Sequence, residues 1–152
     1  MAEFVRGVRI GVDVGQVRVG VAVCDPDGIL ATPLVTLRRD PNVDIDTQPS
    51  DIVELAQLVD AYQSVEVVVG LPVTLAGRDG PAAVQVRAYA DRLAGAISPV
   101  PVRLYDERMS TVAATRRLAE RGVRGKRQRA VVDQAAAVVI LQGWLDAQRR
   151  RT

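Results

Sequence analysis

Three β-branched runs crowd the first 37 positions, with too few residues between them for a helix to intervene. Val8 to Val14 and Val17 to Cys24 both read as strands, and only Gly15 and Gln16 separate them. Asp25-Pro26-Asp27-Gly28 then has turn chemistry: Asp at the first position, Pro at the second, Gly at the last. Ile29 to Leu37 completes the set. Strands joined by such short connections pair antiparallel, so the chain must begin as a three-stranded meander.

The pattern then changes period. Arg38 to Ser50 is a polar, acidic connection. Asp51 to Tyr62 has helical spacing at Ile52, Leu55, Ala56, Leu58 and Val59, with Ser50 or Asp51 as its cap. Val65 to Gly70 is almost all valine, as in a strand buried on both faces. A Gly/Pro loop covers Leu71 to Pro81, a helix Ala82 to Ile97, and a further strand Pro99 to Tyr105. Ser110 is the expected N-cap of a helix to Arg121. Gly122 to Arg129 reads as a loop, and Ala130 to Gln148 as the last helix. The expected fold is α/β: a mixed five-stranded sheet, three antiparallel strands and then β-α units, flanked by helices. Right-handed crossovers make the first strand central. Residues 1–152 are expected to form one domain.

Three acids sit where a short carboxylate makes little structural sense. Asp13 interrupts the first apolar strand, Glu107 ends the last one, and Asp133 stands at the start of an alanine-rich helix. For Asp13 the plain alternative is a partly exposed carboxylate paired with Arg9 or Arg18. Asp106-Glu107 and Asp133 equally suit helix N-termini on electrostatic grounds. Brought together, the three would form a negative cluster that needs a cation between them. Hard oxygen ligands suit Mg²⁺ or Mn²⁺, and a carboxylate-held metal beside phosphate is the basis of two-metal nuclease chemistry.

Composition narrows the chemistry further. There is no histidine, which removes Ser-His-Asp and Cys-His catalysis and imidazole zinc sites. One cysteine, Cys24, allows no internal disulfide and no Cys-x-x-Cys site; it reads as a small core hydrophobe. Net charge is only +2, but its distribution is uneven. Asp40 to Asp60 holds six acids and no base, whereas Arg121 to Arg129 holds five bases and no acid. Aromatics amount to 3%, so base stacking is a poor candidate for the main mode of nucleic-acid binding. Tyr105 and Trp144 read as packing residues. With no signal-peptide apolar region and no apolar run of transmembrane length, a cytoplasmic protein without a membrane partner is expected.

Four segments, in order along the whole chain, resemble the YqgF family, also called RuvX. They are Val12-Asp13-Val14-Gly15-Gln16-Val17-Arg18-Val19-Gly20-Val21-Ala22-Val23-Cys24-Asp25; Val68-Val69-Gly70-Leu71-Pro72-Val73 with Gly77, Gly80 and Pro81; Asp106-Glu107-Arg108-Met109-Ser110-Thr111; and Val132-Asp133 with Ala135, Ala136, Ile140 and Leu141. The resemblance implies an RNase H-like fold and a nuclease whose metal site and catalytic residues are Asp13, Glu107 and Asp133. It implies two substrates, four-way DNA junctions and the 5′ end of the 16S rRNA precursor. Arg18, Arg108, Lys126 and Arg127 are the candidate phosphate contacts. Val17, Thr74 and Ala76 stand where the family usually carries polar residues, and Gln134 where Asp is common.

Two other readings compete. The Asp-x-Gly hairpin also opens actin-like and sugar-kinase ATPases, but those need a second such domain and this chain is too short for it. A non-catalytic RNA-binding ribosome-assembly factor would keep the fold without the chemistry. A junction resolvase suits a homodimer, since a four-way junction offers two symmetric cuts, whereas cutting one rRNA end needs only a monomer.

Overall fold

The computed structural model describes residues 4–41, 44, 46–74, 76–112 and 125–151, with the side chains of 126–128 and 151 left undescribed. Its five strands are β1 (Arg9–Val14), β2 (Arg18–Cys24), β3 (Ala31–Arg38), β4 (Glu66–Leu71) and β5 (Val102–Asp106). Among the described residues, the helices are α1 (Ser50–Tyr62), α2 (Pro81–Ile97) and α3 (Lys126–Arg151), with a 3₁₀ turn at Glu107–Met109. The sheet order is β3-β2-β1-β4-β5. β1, β2 and β3 pair antiparallel, whereas β4 pairs parallel to both β1 and β5. The meander is therefore formed as expected, and β1 is central.

Alternation along the strands gives the sheet two cores. Ile10, Val12, Val19, Val21, Val67 and Val69 pack with Ile52, Leu55, Val59 and Leu93 of α1 and α2. Ala22 and Val68 face the other way and pack with Ala136, Ala137, Ile140, Leu141 and Leu145 of α3. β4 thus feeds both cores, which is why it is nearly all valine. Full burial of each such side chain contributes about 1.5–3 kcal/mol. Tyr105 and Trp144 are buried in the α3-side core, as is Cys24.

Several boundaries differ from the sequence expectation, each for a physical reason. Ile29 and Leu30 precede β3 and are exposed. The Asp25 carboxylate accepts the backbone N–H groups of Asp27, Ile29 and Leu30 at 2.7–3.0 Å, so this stretch wraps around an acid instead of joining the ladder. The turn itself closes as expected, Gly28 N–H donating to the Asp25 carbonyl at 2.9 Å. At α1, neither Ser50 nor Asp51 caps the helix. Pro49 occupies the N-cap position, and the Asp40 carboxylate accepts the Ser50 N–H at 2.9 Å. Asp51 is fully buried and accepts the Tyr89 hydroxyl at 2.6 Å.

The largest shift is in α3, which starts at Lys126 and not at Ala130. Gly125, at φ +84°, sets the break before it; the charged run after that glycine consists of good helix formers and continues into the helix. Asp133 therefore lies beyond the first turn. By length and mean composition alone, Arg129–Arg150 of α3 would suffice to cross a membrane, though Asp133, Gln134, Gln142 and Asp146 interrupt its apolar run. Its apolar stripe lies on the sheet, with Ala136, Ala137, Ile140, Leu141 and Leu145 all at 0% exposure. The expected helix from Ser110 to Arg121 falls mostly outside the described residues, as does much of the basic segment from Arg121 to Arg129.

Candidate active site

The site is built on one row of the sheet. Asp13 is opposite Gly20 in the antiparallel β1–β2 ladder. On the other side, the parallel β1–β4 ladder ends at Val12 and Val69, and Gly70 follows next to Asp13. So Asp13 is flanked on both neighbouring strands by residues without side chains. A Cβ on Gly20 would run into the backbone carbonyl of Asp133, and a Cβ on Gly70 would lie 2.8 Å from Oε1 of Glu107. The two glycines let α3 and the Glu107 side chain come down onto the row that holds Asp13.

Glu107 reaches this row because β5 ends in the 3₁₀ turn. Its carbonyl accepts the N–H of Ser110 at 3.2 Å and the Ser110 hydroxyl at 3.0 Å. Its side chain is buried, whereas Asp106 turns the other way and ion-pairs with Arg108 at 2.6 Å. The Arg108 guanidinium beside Asp106 holds that carboxyl below its ordinary range. Adjacent side chains diverge, as strand alternation requires, and Glu107 is the inward one.

Asp13 and Glu107, both under a tenth exposed, line one cleft of about 230 Å³ with Gly15, Gln16, Arg39, Pro72, Ala82 and Gln85. Ala82 and Gln85 bring the N-terminal turns of α2 to its wall; no side chain caps that helix and its first turn holds no acid. Asp133 is outside this wall. Its carboxylate accepts Nε–H of Arg18 at 2.7 Å, with both side chains about a quarter exposed. Among the described residues, no three acids, cysteines or histidines are grouped closely enough to hold an ion. The structure thus brings two of the three predicted acids into one cleft and places the third beside it, on an arginine.

The partners proposed for Asp13 as a plain surface acid are otherwise engaged. Arg9 bonds Glu66 at 2.9 Å and Arg18 bonds Asp133, while Asp13 itself is buried rather than partly exposed. Of the four candidate phosphate contacts, Arg18 and Arg108 sit in ion pairs, and the side chains of Lys126 and Arg127 lie outside the described residues. Sequence reasoning missed Arg39, which lines the cleft. The signal was its place, directly after the strand that pairs with the Asp13 hairpin.

The family model described as "RuvX: Holliday junction resolvase" matches residues 7–147. The chain belongs to the RuvX family. A Mycobacterium sp. (strain KMS) relative named "Putative pre-16S rRNA nuclease" is 58% identical over 144 residues, 95% of this chain and 82% of its own. A Streptomyces avermitilis relative of the same name is 56% identical, covering 95% of this chain and 88% of its own. Among solved structures, T. thermophilus RuvC in complex with Holliday junction substrate superposes with a TM-score of 0.56 at 17% identity, over 95% of this chain and 96% of that one. That likeness gives this RuvX family member an RNase H-like fold, as the sequence segments implied.

Proposed function

We propose that the chain is a metal-dependent, structure-specific endonuclease that hydrolyses phosphodiester bonds. It would act in the cytoplasm as one RNase H-like domain, in 5′-end processing of pre-16S rRNA, in Holliday-junction resolution, or in both. The carrying observation is the glycine-flanked Asp13, sharing a cleft with Glu107.

Two buried carboxylates lining one cleft offer hard oxygens that fit a divalent cation such as Mg²⁺ or Mn²⁺. Asp13 and Glu107 would hold it, joined by Asp133 when that carboxylate leaves Arg18. When bound, the metal supplies Lewis-acid stabilisation of phosphate charge and an activated water. The chain's own residues position the substrate. The N-terminal end of α2 favours an anionic phosphate at the cleft wall, and Gly15 lines that cleft two residues from Asp13. With no histidine present, no imidazole shuttles protons, and water must serve.

The Arg18–Asp133 ion pair supports a second reading, a non-catalytic RNA-binding assembly factor whose third acid is committed to the fold. One experiment separates the two. A labelled four-way DNA junction and a labelled pre-16S rRNA 5′ fragment are incubated with Mg²⁺, Mn²⁺ or EDTA. Cutting that needs metal supports the nuclease, and the preferred substrate identifies its role. Tight RNA binding without cutting under any condition supports the assembly factor. Sedimentation in the presence of the junction distinguishes a monomer from a homodimer.

A further inference from the structure

We propose that Arg39 is the phosphate-binding residue of the cleft, donating to a non-bridging oxygen of the substrate phosphodiester that lies beside Asp13 and Glu107. The proposal rests on the nuclease reading and adds to it a residue that none of the sequence motifs marks.

Arg39 follows β3 directly, and its N–H donates to the Val17 carbonyl at 2.8 Å, continuing the ladder past the Arg18–Arg38 pair. Its Nη1 donates to the Gly15 carbonyl at 3.0 Å, two residues beyond Asp13. Its guanidinium lies over the Tyr89 ring, 5.2 Å from the centroid. Tyr89 is fixed in turn: it is 7% exposed and donates its hydroxyl to Asp51, which is wholly buried. Asp51 also accepts the N–H of Asp40 at 3.0 Å, which holds the residue after Arg39. The cation is thus set by backbone, carbonyl and ring. Most of the side-chain entropy that a phosphate contact would cost is already lost on folding.

Its electrostatic setting differs from that of the ion-paired arginines. Arg6, Arg9, Arg18, Arg87, Arg103 and Arg108 each sit against a carboxylate. Among the described residues, Arg39 is the one cation lining the cleft, and its side-chain hydrogen bond goes to a neutral carbonyl. A guanidinium has five N–H donors in a fixed fork that matches phosphate oxygens. Lining the same cleft as Asp13 and Glu107, it supplies positive charge for an anionic phosphodiester there. Stacking on Tyr89 favours a planar guanidinium over an ammonium, so lysine is a poor replacement.

The test compares wild type with Arg39→Gln, Arg39→Lys and a control, Arg103→Gln, on the far edge strand. The probes are the labelled pre-16S rRNA 5′ fragment and the four-way DNA junction. Binding is titrated against salt in EDTA, and cleavage is measured in Mg²⁺. Arg39→Gln should lower kcat/KM about 10- to 100-fold through loss of a charge-assisted contact. It should also reduce the slope of log affinity against log salt by about 0.7–0.9, the loss of one phosphate contact. Arg39→Lys should keep that slope and recover only part of the cleavage, and Arg103→Gln should leave both unchanged. Wild-type values of slope and kcat/KM in Arg39→Gln would overturn the proposal. If wild type binds but does not cut, the nuclease reading fails, and the salt slope alone decides on Arg39. Failure of wild type to bind either probe would overturn both.

Discussion

Gly20 lies beneath the backbone carbonyl of Asp133, closer than any side chain would permit. Because Gly20 is opposite Asp13, one missing side chain determines both how near α3 comes to the sheet and how near the third acid comes to the first. Gly20→Ala should therefore force α3 outward. The obstacle is backbone, which cannot rotate aside, so a cost of about 1–3 kcal/mol is expected from overpacking. Urea denaturation should show a lower midpoint with an unchanged slope, and cleavage should fall by more than the folded fraction does. A variant as stable and active as wild type would show that the close approach is unimportant.

On the proposed metal-site reading, Arg18 and a cation in the cleft would compete for Asp133. Arg18→Gln should release the Asp133 carboxylate and tighten Mn²⁺ binding, read by titration calorimetry. The same change should cost under about 1 kcal/mol of stability, since the pair is partly exposed. Weaker Mn²⁺ binding in the variant would mean that the arginine orients Asp133 for the metal rather than withholding it.

Asp25 contributes an acid-sensitive element at the β2–β3 turn. The N–H of Leu30, and after it those of Ile29 and Asp27, favour the carboxylate and lower its pKa. A carboxyl whose folded pKa lies below its unfolded value stabilises the fold above the unfolded value, about 3.9. That contribution is lost as pH falls through the lower, folded value. Asp25→Asn should thus have a lower Tm than wild type at pH 7, with the gap closing as the pH approaches 2. A gap independent of pH would assign the effect to turn geometry instead of charge.

How much of this was legible in the sequence differs from element to element. The meander and the doubly buried β4 follow from side-chain period and turn chemistry, which are local. The start of α3 was obscured because a basic run reads equally well as a solvated loop or as a helical first turn; Gly125 decides between them. Asp51 resembled a helix cap because its partner, Tyr89, lies 38 positions away and on another helix. Arg39 sat in a stretch that read as an acidic connection, and only the sheet pairing brings it beside Gly15. Asp13 stood out from the start because a strand interior gives a carboxylate so little reason to be there.

On the proposed reading, Asp13 is kept in its strand for chemistry. Asp13→Asn is the most direct test, with metal-dependent cleavage and thermal melting measured on the same preparation. Replacing this carboxylate with a neutral isostere should abolish cleavage of both substrates while leaving the fold intact, with a cooperative melt retained. Turnover at the wild-type rate would contradict the catalytic role of Asp13, and so would loss of activity only in step with loss of the fold.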